Sequence, residues 1–231
     1  MTFARGAFLA GCLSVVAVGP AVAQTPDPTI RPRPITLSAG VVTSSGYAVG
    51  DRSAELRRNL TGAPEPFTLF RAESDLAGAA GFEARVGYAL TRRLAVELGG
   101  SLARPTLGIS ISEDREAASQ PVVTEQVSQY TVEVSGLFHL PMRLLGRRAR
   151  PYLIGGAGYL RQLHEDRLQV ETGRIGYGGG GIQFWARGAS GSARPLGVRG
   201  ETCYVYRTGG IDFEDRGRGF VRLSVLGFIG F

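Results

Sequence analysis

The sequence predicts an all-β protein, an eight-stranded antiparallel up-and-down transmembrane β-barrel, and three observations carry that prediction. The last stretch alternates with a period of two, Val221, Leu223, Val225, Gly227, Ile229 and Phe231 being apolar or glycine around the polar Arg222 and Ser224. Such alternation sets one strand face against apolar surroundings and the other against polar ones. Shorter versions of the pattern recur along the chain. Past the N-terminal segment no apolar run reaches the ~20 residues that a spanning helix needs. A membrane crossing then has to be made by a closed sheet, because open strands leave backbone groups without partners in hydrocarbon.

The N-terminal 23 residues read as an export signal. Arg5 supplies the cation, Ala7 to Val18 the apolar run, and Ala21-Val22-Ala23 the small-x-small cleavage site. Leu9-Ala10-Gly11-Cys12 has the form of a lipoprotein cleavage box, but few apolar residues precede Cys12, whereas an h-region needs about 7 to 15. With cleavage after Ala23, Cys203 is the one remaining cysteine, which excludes an intramolecular disulfide scaffold. Residues 24–34 form a Pro-rich lead-in that stays extended, and 35–231 form the barrel.

Eight candidate strands follow, at 35–47, 78–90, 94–111, 122–140, 151–163, 174–185, 196–206 and 219–231. Each exceeds or meets the ~9 to 11 residues of a tilted spanning strand. In the fifth and sixth, Gly155-Gly156-Ala157-Gly158 and Gly178 to Gly181 hide which face is which. Short or modest connections (91–93, 141–150, 186–195) alternate with longer or more acidic ones (48–77, 112–121, 164–173, 207–218). Outer-membrane barrels keep short turns on the periplasmic side and long loops outside, so residue 231 returns to the periplasmic rim. The short set holds Arg92, Arg93, Arg143, Arg147, Arg148, Arg150, Arg187 and Arg194 and no Asp or Glu; the long set mixes both signs. Solvated connections explain this, and so does a grip on phospholipid headgroups inside and lipopolysaccharide outside.

Composition agrees with alternation: 34 glycines, and a mean hydropathy of +0.02. Net charge is +6, yet all 26 basic residues are arginine and are dispersed. That distribution argues against a nucleic-acid interface. Tyr88, Phe138, Tyr152 and Trp185 fall at predicted periplasmic strand ends and Tyr47, Tyr204 and Tyr206 at outer ends, which predicts two aromatic membrane-interface girdles.

Parity places Glu83, Arg85, Glu97, Glu133, Arg199, Glu201 and Arg222 inside. Pairing Leu90 with Leu94 across the turn sets Gly87 opposite Glu97 and Arg85 opposite Gly99, leaving Arg85 and Glu97 ~7 to 8 Å apart as diagonal neighbours. An eight-stranded barrel has room for side chains or one small ligand, and buried charges persist when paired. The expectation is an ion-pair network that plugs the lumen; a narrow water-filled path lined by the same charges is the alternative.

Catalytic and metal sites are not expected. His139 has no nucleophile motif near it. His164 beside Glu165 and Asp166 could orient a hydrolytic site or touch a metal, but three adjacent residues do not converge on one ion without a distorted loop. The Gly176 to Gly181 run lacks the Lys-Ser/Thr and the helix of a phosphate loop; glycine in a strand marks a bend or a close approach.

The chain resembles the small bacterial outer-membrane β-barrel superfamily, the OmpA-, OmpX- and OmpW-like eight-stranded proteins. The likeness lies in Val86 through Glu97, in Arg150-Pro151-Tyr152 through Gly158-Tyr159, and in Gly181 through Trp185 leading into Leu196 through Glu201. It implies a monomer in the cell outer membrane with no cofactor, lipid and lipopolysaccharide as surroundings, and periplasmic chaperones and the barrel-assembly machinery as biogenesis partners. The machinery would read a terminal signal at Ile229 and Phe231, where the family prefers an aromatic at the former position. The resemblance leaves open a structural or interaction role at the cell surface, an OmpW-like channel for small hydrophobic molecules, or a lipid A-modifying enzyme.

Overall fold

The computed structural model describes residues 35–56, 67–112, 122–142, 144–145, 148–164, 169–187, 195–211 and 216–231. The export signal, the Pro-rich lead-in and parts of the predicted connections lie outside the described residues. The described strands are β1 (Ile35–Ser44), β2 (Tyr47–Leu56), β3 (Phe67–Leu76), β4 (Ala79–Ala89), β5 (Leu94–Ala103), β6 (Thr106–Ser112), β7 (Val122–Gln126), β8 (Ser128–His139), β9 (Ala149–Leu163), β10 (Val170–Arg187), β11 (Leu196–Gly209) and β12 (Arg218–Gly230).

Eight of them close into a barrel in the order β1-β12-β11-β10-β9-β8-β5-β4. Every neighbouring pair is antiparallel, and β1 completes the ring by pairing with β12 on one side and with β4 on the other, Ile35 opposite Tyr88 through Ser44 opposite Ala79. The β4–β5 register follows from the short turn: Gly87 faces Glu97 and Arg85 faces Gly99. In that turn the Thr91 hydroxyl accepts from the backbone amides of Arg93 and Leu94 at 3.1 and 2.9 Å, which fixes the tight reversal.

The other four strands form a sheet in the order β2-β3-β6-β7. The expected 48–77 loop is therefore in part a hairpin, with Tyr47 opposite Leu76 and Asp51 opposite Glu73. The two longest candidate strands each divide in two. Pro105, which has no N–H to give a ladder, separates β5 from β6, and its carbonyl accepts from Val127, the residue that separates β7 from β8. Thus β2, β3, β6 and β7 prolong the walls of β1, β4, β5 and β8 beyond the long-loop end. Val49, Leu76, Leu107, Val127 and Ile211 pack into a small apolar cluster there.

Inside and outside alternate residue by residue around the ring. Val41, Phe82, Leu98, Val132, Leu153 and Val225 are exposed, each by more than half of its surface, while Glu83, Arg85, Glu97, Glu133 and Arg222 on the opposite strand faces are buried. A water-soluble protein reverses this arrangement. The apolar exterior belt is a lipid-facing surface, and the protein is a transmembrane β-barrel.

A closed hydrogen-bonded ring resists detergent until heated. Unboiled protein should therefore run at a different mobility from boiled protein on a denaturing gel, and identical mobilities would contradict the ring.

Candidate functional site

The chemistry of this molecule is concentrated in the bore. Successive inward positions are two residues apart on each strand, so Glu83 and Arg85 on β4, Arg199 and Glu201 on β11, and Arg222 and Ser224 on β12 all project into the same narrow space. Arg199 holds both oxygens of Glu97, Nη1 to Oε1 at 2.6 Å and Nη2 to Oε2 at 2.9 Å, a bidentate pairing of the stronger kind. Arg85 reaches three carboxylates: Glu83 at 2.5 Å, Glu201 at 2.9 Å and Glu97 at 3.4 Å. Arg199 Nε lies 3.3 Å from Glu201.

Neutral groups complete the shell. The Tyr152 hydroxyl donates to Glu201 at 2.6 Å, Ser224 donates to Glu83 at 2.8 Å, and Arg199 donates to the Ser38 hydroxyl at 3.0 Å. One step toward the long-loop end, Arg222 pairs with Glu133 at 2.5 Å, Thr131 donates to the same carboxylate at 3.0 Å, and the Arg222 guanidinium sits 4.4 Å from the centre of the Tyr177 ring. Ser38, Glu83, Glu97, Glu133, Tyr152, Tyr177, Arg199 and Arg222 come from β1, β4, β5, β8, β9, β10, β11 and β12, so every wall of the barrel contributes a side chain.

Apolar side chains share the bore with the charged groups. Toward the short turns, Leu137, Ile154, Leu226 and Phe228 are buried, Trp185 stands edge-on to Phe228 and His139 edge-on to Tyr152. Toward the long loops, Leu160, Ile175, Val205 and Phe220 fill the bore, and Tyr47 stacks on Phe220 with centroids 5.2 Å apart. Over them Arg207 donates to Gln162 at 3.2 Å and to the Ile211 carbonyl, and its guanidinium lies 4.7 Å from the Tyr47 ring. A cavity of about 30 Å³ remains between Tyr47, Leu160, Phe220 and Arg222, room enough for water.

The structure buries all seven charged residues: Glu83, Arg85, Glu97, Arg199 and Glu201 share one network, and Glu133 and Arg222 form a separate pair beside it. The aromatic expectation needs correction at three positions. Tyr152 is buried against Glu201, Tyr47 is half-buried beneath Arg207, and the half-buried Trp185 faces Phe228. Tyr152 turns inward because Gly181 opposite it leaves the room: a Cβ at that glycine would lie 2.6 Å from the ring. Gly156 does the same for Tyr177. Tyr88, Phe138, Tyr204 and Tyr206 face outward, as does Phe184, another aromatic at a predicted periplasmic strand end, and Tyr130 and Tyr159 join them. Ile229 pairs with Leu37 on one side and Leu196 on the other, and Phe231 is exposed at the rim. Sequence reasoning missed Arg207, which shares the parity of Arg199 and Glu201 and was legible by it, and Gln162 and Tyr177, which the glycine-rich stretches concealed.

His164 bonds Glu125 at 2.9 Å with Glu171 4.0 Å away; Glu165 and Asp166 lie outside the described residues. Among the described residues no group of three or more His, Cys, Asp or Glu is placed to hold a metal ion. Cys203 is a free buried thiol on the lumen side of β11.

A closed ring of eight antiparallel strands, greasy outside and salt-linked within, is the architecture of a small transmembrane β-barrel. No protein-family model and no curated protein sequence matches the chain. Among solved structures it is similar to the outer membrane protein OprG from Pseudomonas aeruginosa, at 12% identity and a TM-score of 0.45 over 87% of this chain and 95% of that one. It is also similar to the outer membrane protein AlkL in lipid bilayers, at 16% identity and a TM-score of 0.34 over 90% and 95%. A third similarity is to the outer membrane protease OmpT from Escherichia coli, at 10% identity and a TM-score of 0.31 over 88% and 99%. The fold assignment rests on the strand ring itself.

Removing one partner of a buried pair leaves an uncompensated charge, which costs about 3–5 kcal/mol. R199M should lower unfolding stability in urea by that order, since it leaves Glu97 with only the longer 3.4 Å contact to Arg85, and R199M combined with E97L should recover much of the loss. A single variant as stable as wild type would contradict the pairing.

Proposed function

We propose that this chain is a non-enzymatic protein of the cell outer membrane, with a structural or interaction role at the cell surface and a lumen plugged by its own side chains. The observation that carries the reading is the set of buried ion pairs among Glu83, Arg85, Glu97, Glu133, Arg199, Glu201 and Arg222, with an apolar cluster packed in the same bore. A bore filled in this way holds the cylinder rigid and admits no solute. The short turns face the periplasm and the β2-β3-β6-β7 sheet stands outside the cell, in keeping with the loop asymmetry of such barrels. That sheet and the loops beside it form the surface that meets lipopolysaccharide or a partner. An N-terminal signal removed after residue 23 delivers the chain, and periplasmic chaperones and the assembly machinery, reading Ile229 and Phe231, insert it as a monomer.

Two other readings have less behind them. A channel for small hydrophobic molecules needs a continuous apolar path, whereas charged pairs cross the bore between Glu97 and Arg199 and between Glu133 and Arg222. A lipid A-modifying site needs a nucleophile beside its base, and the partners of His164 are carboxylates.

Planar-bilayer recording tests the plug. Wild type should give no large, steady openings, and E83Q combined with E97Q and E133Q should raise conductance by loosening the arginines. Steady wild-type openings would overturn the reading.

A further inference from the structure

The short-turn end brings together two features that a solvated turn alone does not combine. The first is charge. Arg92 and Arg93 in the β4–β5 turn and Arg148 before β9 are exposed, with Arg150 beside them, and the described residues of these two turns include no Asp or Glu. The turns are fastened together: Arg150 donates to the Arg92 carbonyl at 2.9 Å, His139 N–H to the Arg93 carbonyl at 2.7 Å, and Trp185 N–H to the Arg148 carbonyl at 2.9 Å. Since β5 pairs with β8 and β8 with β9, the arginines lie within about two strand spacings, roughly 10 Å.

The second feature is apolar exposure. Met142, Leu144 and Leu145 project from the β8–β9 turn with 48%, 44% and 72% of their surfaces open. Leu145 also has φ of +49°, in the left-handed region that branched side chains seldom adopt. A strained backbone that presents a leucine outward suggests that something apolar receives it. Guanidinium groups are the side chains best matched to phosphate, and a membrane surface sets phosphates and acyl chains side by side at this depth.

We infer that this rim is a headgroup site for an anionic phospholipid, whose phosphate is held by Arg92, Arg93 and Arg148 while Met142, Leu144 and Leu145 sink beside its acyl chains. The inference rests on the membrane placement proposed above and adds to it a lipid class and a location. A barrel so fastened is held at fixed depth and tilt by the leaflet that its short turns touch.

Native mass spectrometry of the full-length chain tests it. The delipidated protein in detergent is offered equal amounts of phosphatidylglycerol and phosphatidylcholine with the same acyl chains. Wild type should retain the anionic lipid at least about fivefold over the zwitterionic one, given the attraction of several arginines near one surface. R92Q combined with R93Q and R148Q should bring the ratio close to one, and so should L145D, which sets a carboxylate beside the phosphate. R52Q combined with R71Q, at the opposite end, should keep the wild-type ratio. Equal retention by wild type, a preference that survives the triple substitution, or equal loss in the opposite-end control would overturn the inference. A heat-dependent gel shift, measured on every variant, reads the closed barrel separately, so a failed site is distinguishable from a failed membrane fold.

Discussion

The constraint from which the rest follows is that a backbone in hydrocarbon must satisfy its own hydrogen bonds. Here β1 meets it by pairing along its length with β12 on one side and β4 on the other. Without that double pairing the sheet would present two open edges to lipid, each with unpaired amides and carbonyls. Once the ring is closed, each strand has one face for lipid and one for the bore, and the period of two decides which residue goes where. In the proposed placement the strands of the β2-β3-β6-β7 sheet lie past the membrane and escape the constraint, and where they begin the ladder is interrupted at Pro105 and Val127.

The interior then has to be filled, and the filling is charged at its centre. The four carboxylates and three guanidiniums of these pairs would each be costly alone; contact with one another, and hydroxyls on Glu83, Glu133 and Glu201, offset much of that cost, while Nε and Nη2 of Arg222 have no hydrogen-bond partner among the described residues. A buried ion network is weak evidence for stability, since well-packed apolar groups often do as well. Its better-supported use is specificity. A one-residue slip of β11 would turn Arg199 and Glu201 toward lipid and break their bonds to Glu97 and Arg85 at once. Contributions from all eight walls make every register answerable to the same cluster.

Much of this was readable in the sequence, and the boundary has a physical cause. Strands with a clean two-residue alternation, β4 and β12 above all, revealed their inward faces, and the three-residue turn after Leu90 set the β4–β5 register. Glycine erased that signal in β9 and β10, because a residue without a side chain belongs to neither face; so Tyr152 was assigned to the membrane interface although it hydrogen-bonds Glu201 in the bore. Trp185 and Tyr47 were misassigned because position near a strand end says nothing of parity. The β2–β3 hairpin was hidden for a different reason. Asp51, Arg52 and Ser53 alternate with no apolar face, as a strand wet on both sides can, and such a strand looks like a loop.

The central claim is that lipid lies outside the cylinder while salt-linked side chains occupy the bore. Magnetisation transfer from lipid acyl chains, measured by solid-state NMR in bilayers, tests it most directly. The account predicts transfer to Val86, Leu98, Val134 and Val225, and none to Glu83, Glu97, Glu133 or Leu226. Acyl-chain transfer to the buried glutamates, or water contact along the valine faces, would contradict it.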